Sequence, residues 1–213
     1  MSETATPVAV IRGTIPPPDS AEIARYLGYG FHVPEGADAD LIRSVADELH
    51  GVLDCCACHV RAPLTPLEGE AGGLACGPLR LVTPRLLRHL DGCGEAIVFV
   101  ATIGLAADRL LTRYKTLSPA RAVVLQAAGA AAIEAWCDRL CADWAAALAA
   151  EHLAVRSRYS PGYAQWPLAE GQHAIFGWLD PPRHIGVTLT DAALMVPTKS
   201  VSALVPILRS LDG

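Results

Sequence analysis

Ala96-Ile97-Val98-Phe99-Val100-Ala101 contains no polar residue in six consecutive positions. A strand with one wet face alternates apolar and polar side chains, so a run apolar at every position reads as a central strand covered on both faces. Thr102-Ile103-Gly104 then turns the chain into a helix over about residues 105–114. Ser118-Pro119 supplies an N-cap and a proline at the first helical position for the longest helix in the chain, running to about residue 152. Its middle, residues 123–135, is apolar nearly all round, which requires other elements to bury it on more than one side.

Upstream, Val8-Ala9-Val10-Ile11 reads as a short strand, stopped by Ile15-Pro16-Pro17-Pro18 because proline cannot donate to a ladder. Ser20 is the expected N-cap of a short helix through Leu27, closed by Gly28. After a loop with Pro34 and Gly36, Asp38 or Asp40 opens a helix whose Leu41, Ile42, Val45, Leu49, Val52 and Leu53 recur at helical spacing. Residues 57–60 and 79–82 read as strands separated by a Gly-rich turn, and Thr83-Pro84 opens a short helix ending near Gly92. Downstream, residues 168–179 read as a helix on which His173 is structural, broken by Pro181-Pro182. Segments 185–190, 193–197 and 201–207 supply strands and connections that close the core.

Composition narrows the function. At 213 residues, with 52% hydrophobic residues, one domain spanning residues 1–213 is expected. A net charge of −5 with only two lysines excludes nucleic acid as the main partner, because phosphate binding needs clustered cations. The N-terminus lacks a basic segment followed by an apolar one, which points to a cytoplasmic protein. The longest uncharged apolar run, residues 122–133, is shorter than the ~20 residues of a membrane span. Seven cysteines in a reducing compartment imply no disulfide framework. Cys55-Cys56-Ala57-Cys58-His59 offers metal-ligating atoms, but no second Cys-x-x-Cys complements it, and the run is read as small apolar fillers at a helix-to-strand junction. A metal site there would make the protein a redox factor.

Chemistry concentrates at Arg158-Tyr159-Ser160-Pro161-Gly162-Tyr163, followed by Ala164-Gln165-Trp166-Pro167. A permanent cation stands beside a Pro-Gly turn that exposes backbone groups, with aromatic rings on both sides. Arginine presents a planar fork of donors to a carboxylate or phosphate, and a tyrosine can lie against a flat heterocycle. Glu134 closes the buried stretch of the long helix, where a carboxylate needs a partner, and is a candidate to bind a ligand cation.

These pieces resemble the reactivation domain of cobalamin-dependent methionine synthase, in its short free-standing form. The resemblance is carried by Ala21-Glu22-Ile23-Ala24-Arg25-Tyr26-Leu27-Gly28-Tyr29, Ala101-Thr102-Ile103-Gly104 and Ala127-Ala128-Gly129-Ala130-Ala131-Ala132-Ile133-Glu134-Ala135. It continues through the 158–167 stretch, Ile185-Gly186-Val187-Thr188-Leu189-Thr190 and Met195-Val196-Pro197-Thr198-Lys199-Ser200-Val201-Ser202. It implies an α+β fold on a twisted antiparallel sheet with one long buried helix. It also implies S-adenosylmethionine bound at an Arg-x-x-x-Gly-Tyr motif, here Arg158, Gly162 and Tyr163 with the intervening Ser160 and Pro161, together with Glu134 on the long helix.

The implied role is to present the methyl donor to an inactive cob(II)alamin held by another protein, either a methionine synthase core or another corrinoid-binding protein, with a flavodoxin-like electron donor. No catalytic acid or base is implied. Two features of the large enzyme have no counterpart in this sequence: a tyrosine in a C-terminal extension, and an N-terminal aspartate whose context Asp38, Asp40 and Asp47 do not match. A module that keeps the fold and docks in a corrinoid complex without the ligand is the alternative reading.

Overall fold

The computed structural model describes residues 7–30, 32, 34–163 and 165–209; residues 1–6 and Ala164 of the motif lie outside them. The chain order is β1 (Ala9–Gly13), α1 (Ser20–Tyr26), α2 (Gly36–His50), β2 (Cys55–Pro66), β3 (Leu74–Cys76), β4 (Leu79–Leu81), α3 (Pro84–Leu90) and β5 (Cys93–Thr102). It continues with α4 (Leu105–Leu117), α5 (Pro119–Ala149), β6 (Leu153–Val155), α6 (Leu168–Leu179), α7 (Pro181–Ile185), β7 (Thr188–Leu189), β8 (Met195–Val196) and β9 (Ser200–Arg209).

The main sheet is antiparallel throughout, with order β4-β3-β2-β5-β9-β6 and β1 paired to the first half of β2. β5 occupies the middle, Cys58 opposite Val100 and Val98 opposite Leu204. Its side chains alternate between two cores, as the pleat requires. Ile97, Phe99 and Ala101 pack with α1, α2, α4 and α5 on one face, while Ala96, Val98 and Val100 pack with α3, α6 and α7 on the other. The central strand read from residues 96–101 is therefore covered on both sides, and the α+β class holds.

The alanine-rich middle of α5 lets neighbours approach closely. A Cβ on Gly129 would stand 2.9 Å from the Lys199 side chain, and one on Gly13 would stand 2.8 Å from the Trp136 ring. Trp136 donates its indole N–H to the Cys56 carbonyl at 3.2 Å, tying α5 to β2.

Several local readings shift. Asp19, not Ser20, caps α1 by accepting from the Ala21 N–H at 3.0 Å, and α2 begins at Gly36, ahead of Asp38. The cysteine run is part of β2, with Cys55 facing one core and Cys56 and Cys58 the other. Of segment 185–190 only Thr188–Leu189 is strand, paired with Met195–Val196 in a separate hairpin. β3 and β6, three residues each, are too short to carry a period.

Phe99 is fully buried, with its ring 5.2 Å from that of Trp144. Replacing it by alanine opens a cavity in the larger core, and urea denaturation of Phe99→Ala should show a loss of about 3–5 kcal/mol.

Candidate functional site

The site is built by a break in register at the sheet edge. Val155 of β6 lies opposite Ile207, and Tyr159 bridges to Leu204 through both backbone hydrogen bonds, at 2.8 and 2.9 Å. Four steps along one strand thus match three along the other, which is a β-bulge. Pro206 sits where the ladder fails: its carbonyl accepts from the Arg156 N–H at 3.0 Å, but it has no N–H to return. The extra residue inverts the alternation. Val155 packs toward α5 and Tyr159 toward α6, so Arg158 falls on the α5 side, where unbroken pairing would have faced it away.

On that side Arg158 meets two carboxylates one helical turn apart. Its guanidinium donates to Glu134 and, at 2.5 Å, to Asp138. Burial disfavours its charge, but the hydrogen bond to Asp138 and the field of Glu134 and Asp138 outweigh that, and its pKa is raised. Asp138 is 72% exposed and Glu134 44%. Such rim pairs contribute at most about 1 kcal/mol each, so the guanidinium can change partners at little cost.

Beyond Arg158 the chain closes a tight turn. Gly162 donates to the Trp166 carbonyl at 2.8 Å and Trp166 to the Tyr163 carbonyl at 2.9 Å. Gly162 has φ +90°, a conformation that favours glycine. Pro161 seats the turn on α6, where a Cβ on Gly171 would come within 2.7 Å of the proline ring.

Between α5 and residues 155–160 lies a cavity of about 900 Å³, lined among others by Arg85, Glu134, Asp138, Cys141, Arg156 and Arg158. Ser160 and Tyr163 also face it, and Tyr163 is 70% exposed. Pro161 lines a second, adjoining cavity, and Gly162 shapes the turn without lining either. Glu134 and Arg158, both singled out in the sequence, are therefore in direct contact. Asp138 was missed by the sequence reading, although its i, i+4 spacing from Glu134 was visible. Arg156 also lines the cavity and donates to the His89 carbonyl at 2.8 Å.

The sequence matches the family described as vitamin B12 dependent methionine synthase, activation domain, over residues 91–207, more than half of the chain. The chain belongs to that family. Among solved structures, the crystal structure of the MetH reactivation domain bound to AdoHcy aligns with a TM-score of 0.68 and 15% identity. That alignment covers 99% of this chain and 80% of the other, and it shows a shared fold. No curated protein matches the chain.

In this activation domain no group of three or more metal-ligating side chains converges among the described residues. No helix among those residues is long and apolar enough to cross a membrane. Burial instead pushes the thiols up, Cys55 to about 11 and Cys58 and Cys76 to about 12, from 9.0. On unfolding these thiols ionise more easily, so above pH 9 the unfolded state holds fewer protons than the folded one and stability falls. Each such thiol should remove up to about 1.4 kcal/mol per pH unit until its folded pKa is reached. Denaturation midpoints measured from pH 8 to pH 11 should therefore decline steeply, and replacing Cys58 and Cys76 by alanine should flatten the decline.

Proposed function

We propose that this activation domain binds S-adenosylmethionine at the larger cavity and the turn that borders it, through Glu134, Arg158, Ser160, Pro161, Gly162 and Tyr163. It would thereby support reductive methylation of cob(II)alamin in a separate corrinoid methyltransferase, such as a methionine synthase core. The observation that carries this reading is the triad of one guanidinium and two carboxylates on the cavity wall, in a chain of this family. The triad has a net charge of −1, and the proposed ligand, with ammonium, sulfonium and carboxylate, has a net charge of +1. A cavity of about 900 Å³ lies within the usual range for small-molecule sites.

Arg158 would exchange Asp138 for the ligand carboxylate in a two-pronged contact, releasing Asp138 toward the cationic groups. Glu134 would hold the ammonium, and the turn at 160–163 would present backbone groups and the Tyr163 ring. When bound, S-adenosylmethionine supplies an activated methyl group, which the partner's cobalamin accepts after one-electron reduction by a flavodoxin-like donor. The residues of this chain orient and dock, and no acid or base is assigned among them.

A second reading draws on the same contact. Because Arg158 is already paired with Glu134 and Asp138, the cluster would serve as a structural clasp in a module that docks on a corrinoid protein without the ligand. Such a module would bind its partner equally with and without S-adenosylmethionine.

Calorimetry separates the two. Saturable heat is expected from S-adenosylmethionine, weakened about tenfold or more in Arg158→Ala. Absence of heat at millimolar ligand overturns the first reading. Labelled methyl from S-adenosylmethionine should appear on a cob(II)alamin-loaded partner only when this chain and a reductant are both present.

A further inference from the structure

The bulge at the sheet edge separates two arginines that are only two residues apart. Arg158 falls on the α5 side, whereas Arg156 precedes the mismatch and, one step from Val155, belongs to the opposite layer. There its guanidinium donates to the His89 carbonyl in α3, which packs on the face of the sheet away from α5. The contact is made in both directions: the His89 ring nitrogen hydrogen-bonds the Ser157 carbonyl at 2.7 Å, and the ring lies 5.4 Å from that of Tyr159. Arg85 stands one helical turn before His89 and so shares its side of α3. Both Arg85 and Arg156 line the larger cavity, which thus reaches around the sheet edge from α5 to α3.

The two ends of that cavity carry opposite charge. The acidic residues on its lining are Glu134 and Asp138, both on α5 and both engaged by Arg158. Among the described residues Arg85 makes no hydrogen bond or ion pair, and Arg156 makes no ion pair and donates to His89 alone. Two cations on one wall without a counter-charge repel each other, and an anion between them relieves that repulsion. The methyl donor proposed above does not supply it, because its charge cancels that of the triad. A volume of about 900 Å³ is near the upper end of the roughly 300–1,000 Å³ of small-molecule sites, which leaves room for a second occupant.

We propose that Arg85 and Arg156 form a separate binding site at the α3 end of the cavity, for a phosphate group that is either free or carried as an ester on a small molecule. The inference stands independently of the function proposed above. A carboxylate has two oxygens in one plane and fills a single guanidinium fork. A phosphate has oxygens pointing apart and accepts from two forks that arrive from different elements, here α3 and the strand edge. Its charge of about −2 at neutral pH also matches the two guanidiniums. The His89 carbonyl holds one nitrogen of Arg156 in place and leaves the remaining donors to the ligand.

The test is calorimetry on the whole chain in a chloride buffer of low ionic strength, with inorganic phosphate and ribose 5-phosphate as separate probes. Saturable heat is expected from at least one of them. Tighter binding of the ester or of the free ion supports the inference and tells which carrier the site takes. Arg85→Ala should weaken that binding about tenfold or more, the effect of losing charge-assisted hydrogen bonds. Arg156→Gln keeps a donor for His89 while removing the charge, and it should behave likewise. It carries the comparison if circular dichroism shows that Arg85→Ala does not fold. Prior saturation with S-adenosylhomocysteine should leave phosphate binding in place, because the triad lies on the other face of the sheet.

The inference is overturned by absence of heat from both probes at millimolar concentration, or by binding that survives both substitutions. Binding lost in Arg158→Ala but kept in Arg85→Ala overturns it as well, since the anion then sits at the triad. Phosphate binding without any binding of S-adenosylhomocysteine leaves this site standing and removes the function proposed above.

Discussion

A strand with both faces apolar cannot rest at a surface, and β5 imposes that constraint on the whole molecule. Hydrophobic burial on two sides demands two helical layers, so the long α5 with α1, α2 and α4 takes one face, and α3, α6 and α7 take the other. β2 and β9 flank β5 and inherit the same alternation, which sorts Cys55 from Cys56 and Val205 from Leu204. Functional chemistry is thereby pushed to the edge beyond β9, where the ladder is incomplete.

At that edge the bulge opposite Val205 and Pro206 connects sheet pairing to electrostatics. One unmatched residue turns Arg158 toward α5, where Glu134 and Asp138 give its charge two partners. The following turn is seated by Pro161 against Gly171 of α6, so the segment reaches both helical layers. The larger cavity borders α5 and the smaller one borders α6, and Ser160 and Tyr163 stand between them.

Much of this was visible in the residues. The uniform apolarity of residues 96–101 and of the middle of α5 located the central strand and the buried helix, because burial on every side leaves no room for polar positions. Arg158, the Pro-Gly turn and Glu134 stood out because a permanent charge, a backbone restriction and a carboxylate at the end of an apolar helical stretch each require an answer elsewhere. Asp138 did not stand out, since a single helical carboxylate usually faces water. Gln172 carried a signal that went unread: it lies with Ile175 and Leu179 on the buried stripe of α6, where a polar side chain is out of place.

The sequence by itself determined which segments must be buried, where helices and strands alternate, and which side chains needed partners, because these follow from periodicity and from the cost of dehydrating charge. It did not determine who the partners are. Whether Arg158 faces α5 or α6 depends on a one-residue mismatch between strands about fifty residues apart in sequence, and pairing register is a property of two segments together. The union of Glu134, Asp138 and Arg158, and the adjoining cavity lined by Gln172 and Ser202, exist only once α5, β9 and α6 have packed against the same sheet.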